Sequence, residues 1–264
     1  MANKYLARED APFDPAIWEM LDTAMIEAAK SELAGRRLLE IDGPYGYGLK
    51  AVPLGDIETE AGRIVSDSLP LQLIQKSFTL GARDLASYER EEISLGKKPV
   101  RETAIACAKM EDEIVFHGAE GAPGLLTAEG VNEFALSAWD EPGMAANDLI
   151  DAVTLLDEVG FHGPYALALS PARYNRLLRV YPRGRQTELE HVERIITEGI
   201  FKAPVLESGG VLLASGRQYA SIVLGQDMAV GFIGPEEGAR MAFSISESVA
   251  LRIRQPGSIC VLTE

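Results

Sequence analysis

Cysteine, long apolar runs and basic residues are all scarce in this chain of 264 residues. Cys107 and Cys260 are its two cysteines, and they form no closely spaced motif, which argues against a disulfide framework or a cysteine-based zinc site. No window reaches ~18 uninterrupted apolar residues, so the sequence predicts no membrane-spanning helix. The N-terminus has no apolar core of signal-peptide length. Together these absences predict a protein of the reducing cytoplasm.

The charge balance excludes further classes of partner. Lysine and arginine number 25 against 40 aspartate and glutamate residues, a net charge of -15. Binding to a phosphate backbone relies on clustered basic residues, so a nucleic-acid or anionic-membrane partner is not predicted. The chain is long enough to bury a core without disulfides or metals, in one or two domains.

The first clear helix is predicted from Asp14-Pro15 to Ala34, because a capping side chain followed by proline typically starts a helix. One apolar stripe follows Ile17, Leu21, Ala24, Met25 and Ala28. Ile26 and Leu33 form a second, partial stripe on the other side. A surface helix needs one stripe. The second one has two interpretations: a helix held between two layers, or the wall of a groove that receives a partner.

The rest of the chain mixes predicted helices with strands that mostly do not alternate, which favours an α+β fold. Residues 55–67 are polar and predict an exposed loop or hairpin arm. The other predicted strands are 36–41, 69–80, 165–170 and several after residue 204, and the other predicted helices are 82–92, 99–118, 147–160, 171–180 and 187–198.

No catalytic set can be assembled from the sequence. The three histidines, His117, His162 and His191, are far apart, and no cluster supplies the three or four ligands of a metal site. No Gly-x-Ser-x-Gly nucleophile elbow occurs. The glycine-rich run Gly43–Gly48 does not match a dinucleotide fingerprint and predicts turns. No enzyme activity is therefore predicted.

Eight segments spread along the chain are distinctive: AGRRLLEIDGPYGYG (34–48), SLPLQLIQKSFTL (68–80), KMEDEIVFHG (109–118), GLL (124–126), GPYALALSPARYNRLLRVY (163–181), HVERIITEGIFKAP (191–204), LGQDMAVGF (224–232) and ALRIRQPGSICVL (250–262). Through these segments nearly the whole chain resembles family 1 encapsulins, which are nanocompartment shell proteins related in fold to the major capsid proteins of tailed phages.

The resemblance implies a domain plan and an assembly. An N-terminal helix and arm would occupy 1–49, an extended loop 50–68, a peripheral domain 69–131 with 223–264, and an axial domain 132–222. The chain would form a closed icosahedral shell, with the short extended loop favouring the smallest class of 60 subunits.

The resemblance also implies a cargo enzyme that docks inside the shell through a C-terminal targeting peptide. The docking groove would use Ile26, Leu33, Arg36, Glu40, Leu224 and Val230. A ferritin-like iron-oxidising cargo is favoured, with a dye-decolorising peroxidase cargo or a phage-type capsid as alternatives. Gly81-Ala82-Arg83 lacks the aromatic residues with which some members bind flavin, so no cofactor is predicted in the shell chain.

A pore is the last implied site. The loop containing Tyr181, Arg183, Arg185 and Gln186 would surround the five-fold axis, with Arg179 just before it. Two interpretations stay open: rings of arginine that attract anions, or a solvated turn whose arginines pair with Glu188 and Glu190.

Overall fold

Helix α1 begins where its sequence predicts. In the computed structural model, which describes residues 3–59, 62–91, 96–182 and 184–264, α1 spans Pro15–Glu32. Pro15 occupies the first turn, where its missing N–H costs no hydrogen bond. The stripe of Ile17, Leu21 and Ala24 is fully buried. The model therefore confirms this helix and its main apolar face.

The described residues combine helices with strands that pair mostly antiparallel, in agreement with the α+β prediction. The helices are α1 (Pro15–Glu32), α2 (Gly35–Leu38), α3 (Ala82–Glu91), α4 (Lys98–Phe116), α5 (Met144–Glu158), α6 (Pro171–Arg176) and α7 (Glu188–Val192). The strands are β1 (Ile41–Asp42), β2 (Ala51–Glu58), β3 (Ile64–Pro70), β4 (Gln72–Gly81), β5 (Gly118–Ala119), β6 (Ala122–Pro123), β7 (Asn132–Ala135), β8 (Tyr165–Leu169), β9 (Ile200–Lys202), β10 (Gly210–Ala214), β11 (Ala220–Leu224), β12 (Ala229–Glu236), β13 (Arg240–Ile253) and β14 (Ile259–Thr263).

The first of two compact units comprises Met1–Leu33, Gly43–Glu111 and Val223–Ala250. Within it, β13 pairs antiparallel with β4 on one side and with β12 on the other. Helix α1 packs against β12. Aromatic rings pack around the buried Phe243, with centroid separations of 5.3 Å to Phe78 and 5.7 Å to Phe13.

Strands β2 and β3 form a hairpin that belongs to the first unit, which confirms the predicted arm. Ala51 pairs with Pro70 at its base and Glu58 with Ile64 near its tip. In the described residues these two strands pair with each other and with no further strand. We call this hairpin the arm.

The second unit comprises Ala34–Asp42, Asp112–Ile222 and Leu251–Glu264. Its sheet has the order β7-β14-β10-β8-β9, with α5 packed on β10 and β14. Trp139 is fully buried in this core and donates its indole N–H to Asp148 at 2.7 Å. The unit takes in 112–131 and 251–264, which the resemblance assigns to the peripheral domain. The implied domain plan stays a prediction.

Three secondary-structure predictions are wrong. Helix α7 ends at Val192, whereas the sequence predicted a helix over 187–198. Residues 35–38 form α2 instead of the strand predicted for 36–41. The carboxylate of Asp112 accepts hydrogen bonds from the backbone N–H groups of Ala34 and Gly35, at 2.8 and 2.9 Å, and so satisfies the start of this turn. Helix α6 stops at Arg176, because the chain beyond it pairs with the segment around Thr187.

Candidate functional site

The predicted groove residues on α1 and just after its last residue differ in exposure. Ile26 is 45% exposed, so its side chain is accessible on the surface of the first unit. Leu33 is buried and packs with Ala29, Ala108 and the partly buried Met228. Of these two predicted contacts, Ile26 is the one whose side chain the structure leaves open.

The predicted groove residues on β11 and β12 are also buried. Leu224 and Val230 are 1% and 0% exposed, so their side chains lie in the core. Their backbone carbonyls serve local partners: Leu224 accepts from the N–H of Tyr45 at 3.0 Å, and Val230 accepts from Nε of Arg8 at 2.7 Å. That these side chains contact a peptide stays a prediction.

Arg36 and Glu40 belong to the second unit. Arg36 is half-buried on α2, and Glu40 is exposed. The carboxylate of Glu40 lies 3.9 Å from Nε of Arg217, whose guanidinium is also 3.5 Å from Asp42. Glu40 is therefore part of a surface ion-pair network, and its role in orienting a peptide is a prediction.

Sequence reasoning missed the segment before α1. Residues 3–10, which we call the strap, form two short 3-10 turns, Lys4–Leu6 and Arg8–Asp10. Both turns pack against β12. Arg8 makes the main contacts, with Asp22 on α1 and with Val230. No sequence signal marks these pairings, since 14 and 222 residues separate the partners.

The tip loop, residues 181–186, belongs to the second unit, and the structure describes 181–182 and 184–186 of it. The N–H of Tyr181 donates to the carbonyl of Gln186 at 3.2 Å, and the N–H of Gly184 donates to Tyr181 at 3.1 Å. The Tyr181 hydroxyl lies 2.8 Å from Nδ1 of His191, which fixes the side chain at the base of the loop. Arg185 is exposed, Gln186 is half-buried, and Arg183 lies outside the described residues.

Arg179 is held below the tip loop. Its guanidinium lies 3.8 Å from the carboxylate of the fully buried Glu188 and donates to the carbonyl of Asp140 at 2.9 Å. Burial and the negative charge of Glu188 raise the pKa of Tyr181 above its ordinary value. Arg179 thus pairs with Glu188, and the choice between a pore and a solvated turn for the loop arginines stays open.

The structure also describes the surroundings of the possible metal ligands and of the two cysteines. Among the described residues, no group of three His, Cys, Asp or Glu side chains is placed to hold a metal ion. Burial raises the pKa of the Cys107 and Cys260 thiols to about 12 each. No helix in the described ranges has the length and apolarity needed to cross a bilayer.

An open cavity of about 660 Å³ lies in the first unit between β4 and α4. Its lining includes Lys76, Ser77, Glu102 and Thr103. These side chains are polar and of both charges, so they favour no single class of small ligand.

Comparison with known proteins places this fold. Residues 3–250 match the Linocin_M18 family, described as encapsulating protein for peroxidase. The type 1 encapsulin shell protein EncA of Myxococcus xanthus is 30% identical, over 98% of this chain and 96% of its own length. A ferritin-like-encapsulin shell fusion protein of Pyrococcus furiosus is 30% identical over 73% of this chain and 52% of its own length.

Solved structures agree. A virus-like particle from Pyrococcus furiosus has a TM-score of 0.75 and 25% identity, covering 93% of this chain and 99% of its own. The capsid of Myoviridae phage XM1 has the same fold, with a TM-score of 0.59 at 15% identity, covering 85% of this chain and 89% of its own. The relatives at 25% identity or more are named as shell proteins or as a virus-like particle, in line with the prediction that this chain is a shell protein and not an enzyme. The chain belongs to the Linocin_M18 family of encapsulin shell proteins.

Proposed function

We propose that this chain assembles by itself in the cytoplasm into a closed icosahedral shell of 60 copies that encloses a cargo enzyme. Membership of the encapsulin family supports the shell. Self-assembly is supported by the arm, because its apolar side chains are exposed to solvent in the single chain.

The arm exposes several large apolar side chains. Leu54, Ile57, Ile64 and Val65 are between 44% and 71% exposed. Isolated two-stranded hairpins are marginally stable in water, and exposed apolar patches mark interaction surfaces. The arm therefore packs on a neighbouring copy. A contact repeated about one symmetry axis closes a ring, and contacts about a second kind of axis are needed to close a shell.

A pair of substitutions tests this role. Ile57 and Val65 are directly opposite each other on the arm, so changing both to Asp places charge in the proposed contact. We expect folded subunits that do not form shells in negative-stain micrographs. Thr23→Asp, at an exposed position of α1, is the matched control and should assemble normally. Normal shells from the double variant would exclude the arm from assembly.

For the cargo, we propose a ferritin-like iron-oxidising enzyme. Support comes from the resemblance of residues 163–204 to members with iron-storage cargo, and from a relative whose name joins a ferritin-like part to the shell. The family description favours a peroxidase as the second candidate. Mass spectrometry of proteins that co-purify with native shells separates the two. Enclosed DNA without an enzyme would favour a phage-type capsid instead.

Ile26 is the most direct probe of the groove. It is exposed, whereas the buried Leu33 would disturb the core if it were changed. We expect Ile26→Asp to form shells that load much less of a reporter carrying the cargo tail, because a charge replaces an apolar contact. Thr23→Asp should load as the native chain does. Equal loading of the reporter by the two variants would show that the groove lies elsewhere on the shell's inner surface.

We propose that the tip loop lines a pore and that the shell chain binds no flavin. Among the described arginines at 179–186, Arg185 is exposed and available for the pore, whereas Arg179 pairs with Glu188. Arg185→Glu should slow anion entry into the lumen at low salt, measured by stopped flow with an enclosed reporter. An unchanged rate of anion entry would favour the solvated turn.

A flavin absorption band in purified shells would contradict the proposal that the shell chain binds no flavin.

A further inference from the structure

We propose that the strap, residues 3–10, covers the free edge of β12 beside α1 and is displaced when an extended cargo peptide docks there. This proposal rests on the proposed function, because it assigns regulation to the cargo groove. All the contacts that carry it lie within the first unit.

Arg8 is the main anchor of the strap. Its two terminal nitrogens donate to the two carboxylate oxygens of Asp22 at 2.7 and 2.6 Å. Its Nε donates to the carbonyl of Val230, and its guanidinium lies 4.8 Å from the ring centroid of Trp18. One side chain thus joins the strap to α1 and β12 by charge-assisted hydrogen bonds and a cation–π contact.

The start of the strap is held by smaller contacts. Tyr5 stacks on Tyr47 with ring centroids 5.3 Å apart, although Tyr5 remains 66% exposed. The amide of Asn3 donates to the side chain of Gln226. At Gly231, a Cβ atom would lie 3.1 Å from the backbone oxygen of Leu6, so glycine permits the close approach of the strap to β12.

The strap covers β12 without completing its hydrogen-bond ladder. β12 pairs with β13 along one edge and is the last strand on its side of the sheet. Between the described residues 3–10 and β12, the hydrogen bond present comes from the Arg8 side chain and not from the strap backbone. An extended peptide could add main-chain bonds to such an edge, which is a common mode of peptide recognition. The strap is therefore replaceable by a better-paired occupant.

The strap also lies on the face of α1 that includes Ile26. Trp18, Asp22 and Ile26 are four residues apart, so they follow one another along a single face of the helix. Arg8 contacts Trp18 and Asp22, and Ile26 continues the same face one turn farther on. A peptide that used Ile26 and the edge of β12 would meet the strap.

Removing the strap's anchor should raise the affinity for the cargo peptide, because it raises the fraction of subunits whose groove is open. If the groove is open in a fraction of subunits, the apparent dissociation constant rises by the inverse of that fraction. We expect Arg8→Ala to tighten binding of a fluorescent protein that carries the C-terminal tail of the co-purifying cargo by about fivefold or more. The matched control is Arg101→Ala. Like Arg8, Arg101 pairs with an acidic residue of α1, in this case Glu27 at 3.6 Å, but it does not contact the strap.

Hydrogen exchange supplies a second readout that does not need the variant to fold. Backbone amides of residues 5–10 in native shells should exchange faster when the reporter is bound, because the strap has left β12. Tighter binding by Arg8→Ala together with faster exchange supports the proposal. Equal or weaker binding, or slower exchange, overturns it and makes the strap a fixed wall. Shells that load no reporter in any variant refute the cargo proposal itself.

Discussion

Glu188 should be one of the most sensitive positions in the second unit. Its side chain is fully buried, and one carboxylate oxygen accepts hydrogen bonds from the N–H groups of Gly143 and Ala146, at 2.9 and 3.0 Å. These two groups lie at the start of α5. Arg179 is 3.8 Å from the other oxygen. Glu188 thus connects the base of the tip loop to a core helix.

Two substitutions separate the charge of Glu188 from its hydrogen bonds. Glu188→Ala leaves two backbone donors without their acceptor and removes the negative charge beside Arg179, and breaking a buried pair costs about 3–5 kcal/mol. Glu188→Gln keeps one carbonyl oxygen that can accept both bonds, so its cost should be about 1–2 kcal/mol. For a chain of this length, each kcal/mol lowers Tm by roughly 2–4 °C.

Thermal unfolding of purified shells, followed by circular dichroism, measures the difference. We expect Glu188→Ala to lower Tm by roughly 6–20 °C and Glu188→Gln by roughly 2–8 °C. Similar values for the two variants would show that the charge, and not the two hydrogen bonds, stabilises this region. A loss of stability below about 1 kcal/mol for Glu188→Ala would show that neither the hydrogen bonds nor the charge of Glu188 stabilises this region.

Two further predictions concern titration. The pKa of Asp157 is lowered by a hydrogen bond from the Tyr165 hydroxyl and then by His162, so this carboxylate stabilises the fold above its unfolded pKa and the contribution is lost as pH falls. The difference in Tm between the native chain and Tyr165→Phe should therefore shrink below about pH 4, and a constant difference would contradict this. The buried thiols of Cys107 and Cys260, with pKa values near 12, should react with a thiol reagent only after unfolding; rapid labelling of native shells would show that one of them is accessible.

Local sequence patterns predicted much of the fold. The proline after Asp14 marked the start of α1, and the polar stretch 55–67 marked the arm, because both signals depend on neighbouring residues. The two-sided apolar character of α1 was also visible. Of the two residues in the second stripe, Ile26 lies at the surface and Leu33 lies in the core.

The errors arise where distant residues decide the structure. Residues 35–38 look like a strand, but Asp112 supplies acceptors that favour a helical turn. The strap carries no periodicity, and Arg8 finds its partner on α1 only in the folded chain. Burial of Leu224 and Val230 also depends on tertiary packing, so sequence resemblance alone did not show that their side chains face the core.

Self-assembly of this chain into a closed shell can be measured by mass photometry of the purified protein together with negative-stain microscopy. We expect uniform hollow particles of about 1.7 MDa, the mass of sixty copies of a 28.6 kDa chain. Monomers or small oligomers alone, at the same protein concentration, would show that the chain does not build a shell by itself.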